Sequence, residues 1–233
     1  MTETEHSTEA RQEILSSIRE HLAASKRFDG QAVQPQTAQP RAKSNSAQGD
    51  RNETVIERFR QALEAVSGHC SIVRNIDEAA RAVQQIVDQR NAQRIAISDS
   101  TLVHEILRRL KTEAVFLAAP NQSDLFDCDM GITTAQWAIA ETGTLVLESE
   151  RERHRLASLV PPVHVAIIEA NRIRQRMAEV LELIKSSDAG LSRTVTFITG
   201  PSRTSDIELT LAIGVHGPGE LHVIVIDEPA QPA

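Results

Sequence analysis

Arg94-Ile95-Ala96-Ile97-Ser98-Asp99-Ser100-Thr101, running directly into Leu102-Val103-His104-Glu105-Ile106-Leu107, is the stretch from which the fold class can be read. The short apolar run predicts a buried strand. The polar residues after it are of the kind that cap a helix, and the apolar spacing from Leu102 to Leu110 predicts that helix. Strand, hydroxyl loop and helix then recur on either side. Val55–Val66 and Ile76–Gln89 predict helices around a short strand at Ser71–Val73, the second helix opened by Asp77 and Glu78, whose charges suit its positive end. Val115–Ala119, Val163–Ile168, Thr194–Thr199 and Leu221–Ile226 are apolar and mostly β-branched, as core strands are. Thr133–Ala140 predicts a short helix, Glu141-Thr142-Gly143 a tight turn, Thr144–Leu147 a strand, and Ile173–Ile184 a last long amphipathic helix. Strands alternating with helices of these lengths predict βαβ units and an α/β fold built on a mainly parallel, covered sheet.

Further out, the organisation changes. Ile14, Leu15, Ile18 and Leu22 form an apolar stripe, so residues 1–25 are expected to hold an amphipathic helix. Residues 26–52 turn to Gln, Pro, Ser, Ala and charged residues, which predicts a flexible linker spanning roughly 30 Å by coil statistics. The α/β domain is expected over residues 53–228, with a tail at 229–233. The 233 residues carry 25 Lys and Arg against 32 Asp and Glu, a net charge of -7. That balance argues against general electrostatic binding to nucleic acid, which needs clustered cations to displace counterions. The polar, acidic start lacks a secretion signal's basic and apolar regions, and no apolar run approaches the ~20 residues of a membrane span, so a cytoplasmic location is the default expectation. Cys70 and Cys128 form no CxxC pair and cannot supply the thiolates of an iron–sulfur cluster, and the eight histidines have no metal-ligand spacing, so no metal is expected on this chain.

The densest functional text is Gly200-Pro201-Ser202-Arg203-Thr204-Ser205-Asp206-Ile207-Glu208, with Gly214-Val215-His216-Gly217-Pro218-Gly219-Glu220 after it. Glycines, hydroxyls, carboxylates, a cation and a histidine between two strands have the composition of a binding loop at a sheet end. Gly200 allows close backbone approach, Ser202 donates, and Arg203 can clamp a carboxylate or phosphate, so a small anionic ligand is expected here. The plainer alternative is a turn in which Thr204 or Ser205 caps a helix and Arg203 pairs with Asp206 or Glu208. His216 can act as acid, base or carboxylate donor, or simply bond a carbonyl. His164 and His222, flanked by apolar strand residues, have the surroundings of structural histidines. Ser98, Asp99 and Ser100 most simply cap a helix.

Asp129-Met130-Gly131-Ile132-Thr133, Ala138-Ile139-Ala140-Glu141-Thr142-Gly143-Thr144, Arg155 with Ser158-Leu159-Val160-Pro161-Pro162-Val163-His164, and the two glycine-rich segments together resemble the LUD (lactate utilisation) domain family, in order, from about Glu53 to Asp227. The resemblance implies a three-layer α/β/α fold similar to the NagB/RpiA/CoA transferase-like superfamily. It also implies a part in oxidation of L-lactate to pyruvate beside LutA-like and LutB-like iron–sulfur proteins that carry the clusters. CoA transferases of that superfamily use a glutamate before a glycine-containing turn as nucleophile, which puts Glu141 forward with His216 as the catalytic candidates. A turn carboxylate that accepts backbone N–H bonds or pairs with Arg155 or Arg203 is the alternative. Thr142, Gly143, Arg155, Ser158, Gly200, Ser202, Arg203, Thr204, Asp206 and Glu208 are expected to bind the ligand on one rim, at the carboxyl ends of the strands. An autonomous enzyme acting on a phosphorylated or CoA-linked molecule, or a regulatory scaffold working through its amino-terminal helix, remain open beside the lactate reading.

Overall fold

The computed structural model describes Ser16 and residues 54–118, 120–152, 155–186, 192–206, 210–214 and 216–227. The expected amino-terminal helix and linker lie outside these residues, apart from Ser16, which is helical. Helix α1 (Val55–Ala65) starts on Thr54, whose side chain accepts from the Glu57 N–H. Strand β1 (His69–Val73) leads to α2 (Ile76–Arg90), capped by Asn75 and closed by Asn91 in the left-handed conformation. Then come β2 (Arg94–Ile97), α3 (Thr101–Leu107), β3 (Val115–Leu117), the short α4 (Gln122–Phe126) and β4 (Met130–Thr134). The chain continues through β5 (Trp137–Ile139), β6 (Thr144–Glu148), a 3-10 turn at Arg155–Ser158, β7 (Val163–Glu169) and β8 (Ile173–Arg174). It finishes with α5 (Met177–Lys185), β9 (Val195–Ile198), β10 (Arg203–Asp206), β11 (Thr210–Ile213) and β12 (Glu220–Ile226).

The main sheet has six strands in the order β1-β12-β7-β4-β2-β3, and every neighbouring pair is parallel. This is the expected α/β architecture. The two-residue period of a strand sorts side chains to opposite faces. Met130, Ile132, Val163, Val165, Ile167 and Ile224 face a helical layer made by Ala79, Val83 and Val87 of α2 and Val103 and Ile106 of α3. Ala166, Ile168, Leu221, Val223 and Val225 face the other way, onto Phe59 and Leu63 of α1 and Leu145 and Leu147 of β6. Those last two belong to a second sheet, β8-β5-β6-β9, covered on its far side by Val180 and Ile184 of α5.

Three expectations need correction. Thr133–Ala140 is not a helix: it contains the end of β4, a bend, and β5, paired antiparallel to β6. All of these residues but Gln136 are buried, and a segment covered on both faces shows no clean two-residue alternation from which a strand could be recognised. The helix expected from Ile173 begins at Met177, because Ile173 and Arg174 pair as a strand with Ala138 and Ile139. The strands bracketing the glycine-rich stretch lie in different sheets, β9 in the second and β12 in the main one, and between them the chain makes a β10–β11 hairpin. Among the described residues, no helix is long and apolar enough to cross a membrane.

Gly131 marks the tightest approach in the main sheet. A Cβ there would sit 1.7 Å from the Ala157 carbonyl oxygen of the 3-10 turn, and backbone cannot move aside as a flexible side chain can. Gly131→Ala is therefore expected to destabilise the domain by at least about 1–3 kcal/mol, seen as a lower urea midpoint at unchanged m-value.

Candidate functional site

Two cavities flank the main sheet, one at each end of its strands. The first lies at the amino ends of β7 and β12. Beyond β9 the chain reaches Gly200 at φ +79°, where a Cβ would meet the Val66 carbonyl oxygen at 2.6 Å; only glycine fits. The base of the hairpin is then tied down by backbone bonds from Ser202 N–H to Pro218 O (2.8 Å), Gly214 N–H to Ser202 O (3.0 Å) and Gly219 N–H to Pro162 O (2.9 Å). Enclosed is a cavity of about 210 Å³ lined by Ser158, His164, Thr196–Gly200, Ser202, His216 and Leu221 among others. Ser158 is held by its hydroxyl, which donates to the Arg155 carbonyl at 2.6 Å.

His164 forms the buried end of this cavity. Its Nε2 lies 2.8 Å from Thr133 Oγ1, while Nδ1 is buried without a partner. Burial, with a smaller contribution from nearby His222, pushes its pKa down to about 3, so the ring is neutral at physiological pH. His222 is itself lowered, chiefly by burial against the opposing pull of Glu220, and stacks on His69 with centroids 4.7 Å apart.

The residues expected on a single rim separate. Ser158, Gly200, Ser202 and His216 share the amino-end cavity. Thr142 reaches its edge through a hydroxyl chain, Thr142 to Thr144 and Thr144 to Thr199, each 2.7 Å. Gly143, at φ +64°, lies against the backbone of Ala62 and Leu63 in α1. The Glu141 carboxylate accepts the Met177 N–H at 2.9 Å and so caps α5. The Arg203 guanidinium donates to Val66 O (2.6 Å) and Ser67 Oγ (2.8 Å), closing the carboxyl end of α1. Thr204 and Asp206 lie in the hairpin, paired with Ala212 and Thr210. Glu208 is outside the described residues.

The carboxyl ends of the parallel strands carry a different cleft, of about 360 Å³, lined by Ser100 and Thr101 after β2, Thr134 and Gln136 at the end of β4, Ile167–Glu169 of β7, and Arg151 and Arg172. The chain leaves β2 outward to edge strand β3, but from β4 its connection leads the other way, to β7. Adjacent strands with diverging connections make a crevice at their carboxyl ends, the place where open α/β sheets bind ligands. Under this cleft Glu152 is fully buried. Its Oε2 accepts from both the N–H (3.1 Å) and the Oγ1 (3.0 Å) of Thr134, and Oε1 has no hydrogen-bond partner. Burial raises the pKa to about 7 against the opposing bonds from Thr134 and Ser98, and the like charge of Asp99 adds to the rise. Sequence reasoning missed this group because Glu150-Arg151-Glu152 looks like a solvated charged run; the adjacent Thr133-Thr134 pair inside an apolar stretch was the available signal.

The two cysteines supply no chemistry of their own. Both thiols are free, and burial pushes both pKa values up, that of Cys70 to about 12, so neither is a ready thiolate. Among the described residues no group of three His, Cys, Asp or Glu side chains is placed to hold a metal ion.

An α/β domain with a covered parallel sheet and clefts at both strand ends is thus what the chain presents to comparison. The LUD domain profile matches residues 56–226, and the chain belongs to the LUD domain family. Lactate utilization protein C of Halalkalibacterium halodurans is 41% identical over 103 residues, 43% of this chain and 45% of that protein. Uncharacterized protein NMB1437 of Neisseria meningitidis is 43% identical over 98 residues, 42% of each chain. These matched segments span less than half of either relative. Lactate utilization protein C of Oceanobacillus iheyensis matches more extensively, 25% identical over 232 residues, covering 93% of this chain and 98% of that one. In structure, the chain is similar to a DUF162 family protein from Deinococcus radiodurans, with a TM-score of 0.57 at 22% identity, covering 74% of this chain and 96% of the other. That likeness supports the fold.

Two predictions follow from the side-chain contacts. Glu141→Ala removes the cap of α5 and is expected to cost about 0.5–2 kcal/mol, read as a lower urea midpoint. The His164 ring should show no titration of its C–H resonances in NMR spectra recorded from pH 8 to pH 5, where an imidazole in the unfolded chain changes charge near its ordinary value of 6.5.

Proposed function

We propose that this chain is a cluster-free component of a bacterial lactate-utilisation system, taking part in the oxidation of L-lactate to pyruvate with LutA-like and LutB-like iron–sulfur partners. The observation that carries the reading is the match to Lactate utilization protein C of Oceanobacillus iheyensis along nearly the whole of both chains. The chemistry of the chain agrees with a division of labour. Two cysteines, on β1 and just after α4, with protonated thiols, do not make a four-thiolate cluster site. The electron-carrying steps would therefore fall to the partners, and this chain would contribute ligand binding and assembly. Its amino-end cavity brings the Ser202 hydroxyl and the His216 imidazole together, donors of the kind that a small carboxylate ligand requires. The cavity is assembled from segments on which the family resemblance rests.

Deletion of the gene in a bacterium that carries no second copy is expected to abolish growth on L-lactate while leaving growth on pyruvate, the product, intact. The wild-type gene in trans should restore growth. Undiminished growth of the deletion strain on L-lactate would overturn the proposal.

A further inference from the structure

The cleft at the carboxyl ends of β2, β4 and β7 is not used by the function just proposed, and its argument stands whether or not the chain takes part in lactate oxidation. Thr134 belongs to two environments at once: it lines the cleft, and it donates its hydroxyl hydrogen to the buried carboxylate of Glu152. A hydroxyl has one hydrogen to give. While Glu152 is ionised it holds that hydrogen and the Thr134 N–H together, so Thr134 turns only lone pairs toward the cleft. Once Glu152 carries a proton, its own O–H can donate to Thr134 Oγ1 and release the threonine hydrogen to a ligand. The same proton removes a negative charge from beneath the cleft, where an anion would otherwise be repelled.

Cationic groups stand on the walls. Arg172 and Arg151 both line the cleft, and Arg172 lies 5.2 Å over the Trp137 ring, with Glu169 at 3.8 Å. Ser100 and Thr101 add hydroxyls. Asp99, on the β2 side, bears on the Glu152 carboxyl, and Arg151, Arg172 and Glu169 are the charged groups that line the cleft. The volume of about 360 Å³ suits a small metabolite.

We propose that this cleft is a second ligand site, taking a small oxyanion, carboxylate or phosphate, on Thr134, Ser100 and Arg172, and that Glu152 takes up one proton as the anion binds. The step balances simply: one proton passes from solvent to a Glu152 oxygen, the Thr134 hydroxyl reverses its donation, and no bond of the ligand changes. Anion binding is then strongest at low pH and weakens as Glu152 ionises. That ionisation is centred near pH 7, because burial lifts the carboxyl well above its ordinary 4.5. One linked proton changes affinity by up to about tenfold per pH unit.

Isothermal titration calorimetry of the full chain tests this, with L-lactate, pyruvate and inorganic phosphate as probes at pH 6 and pH 8, each in two buffers of different ionisation enthalpy. L-Lactate and pyruvate do not titrate in this range, so they report the linkage; the phosphate arm decides which oxyanion source the cleft accepts. At least one probe is expected to bind several-fold more tightly at pH 6 than at pH 8, with about tenfold as the ceiling for one proton lost near pH 7, and with net proton uptake near pH 7. Glu152→Gln, which has no proton to take up, should bind with the same affinity at pH 6 and pH 8. Thr134→Val and the partly exposed Arg172→Ala should each weaken binding at least about tenfold. Absence of binding by every probe at pH 6 overturns the proposal. So does binding that is independent of pH in the wild type, or that survives both Thr134→Val and Arg172→Ala unchanged.

Discussion

The bonds from Thr134 N–H and Oγ1 to Glu152 Oε2 hold the chain at the point where it leaves one sheet for another. Up to Thr134 it is paired in the main sheet with β7, and three residues later, at Trp137, it is paired with β6 in the second sheet. Buried backbone donors are seldom left unpaired, and in the bend the Ala135 N–H reaches Ile167 O of β7 and the Gln136 N–H reaches Val146 O of β6, each at 3.0 Å. Two glutamates from the segment after β5 brace the crossing, one on a backbone N–H and one on an indole N–H. Glu152 takes the departing residue. Glu148 braces the arriving one, accepting Trp137 Nε1–H at 3.2 Å while its own N–H donates to Gln136 Oε1 at 2.7 Å. Removing either carboxylate would leave buried donors without acceptors, the expensive way to lose a hydrogen bond.

The same strand explains why the domain has a cavity at each end. In β4 the residues Met130, Ile132 and Thr134 alternate with Gly131 and Thr133. Met130 and Ile132 fill the helical side of the sheet. On the other side Gly131 leaves room for the Ala157 carbonyl, which brings Ser158 to the amino-end cavity, and Thr133 reaches the His164 ring. Thr134, back on the first side and at the far end, engages Glu152. Adjacent threonines of one strand therefore serve separate polar networks on opposite faces of the sheet.

How far the sequence disclosed this depends on what each residue's neighbours are. The runs at Arg94–Ile97, Val163–Glu169 and Glu220–Ile226 are apolar along most of their length because both faces are covered, and with the helices between them they disclosed a parallel sheet. Covering also hid β5. Trp137-Ala138-Ile139 is buried throughout, so its apolar spacing fits a helix equally well, and no local pattern records that a strand pairs in a second sheet. Glycine-rich composition pointed to Gly200, Ser202 and His216, since the close approach at Gly200 is a backbone constraint that only one residue type meets. Glu141 and Arg203 carry the residue types of a site, yet their hydrogen bonds run to helix ends, a use that spacing alone does not separate from ligand binding. Glu152 was invisible for the opposite reason: a charged residue between Arg151 and Arg153 predicts solvent, and only tertiary structure buries it.

Burial of ionisable groups at both cavities has a consequence for the whole domain. His164 has a folded pKa near 3, below its ordinary 6.5, so the unfolded chain binds the extra proton as pH falls from 6.5 toward 3, and stability is lost in that direction. Glu152 has a folded pKa near 7, above its ordinary 4.5, so the folded chain holds the extra proton between those values, and its contribution is lost as pH rises through them. One group penalises acid and the other penalises base, and each favours the neutral form of its own side chain. A ligand anion over Glu152 would extend the protonated range upward, since opposing the carboxylate charge is equivalent to raising its pKa. At both cavities protonation equilibrium thus holds a buried side chain in its neutral form. For Glu152, that equilibrium lies close enough to neutral pH for binding to shift it.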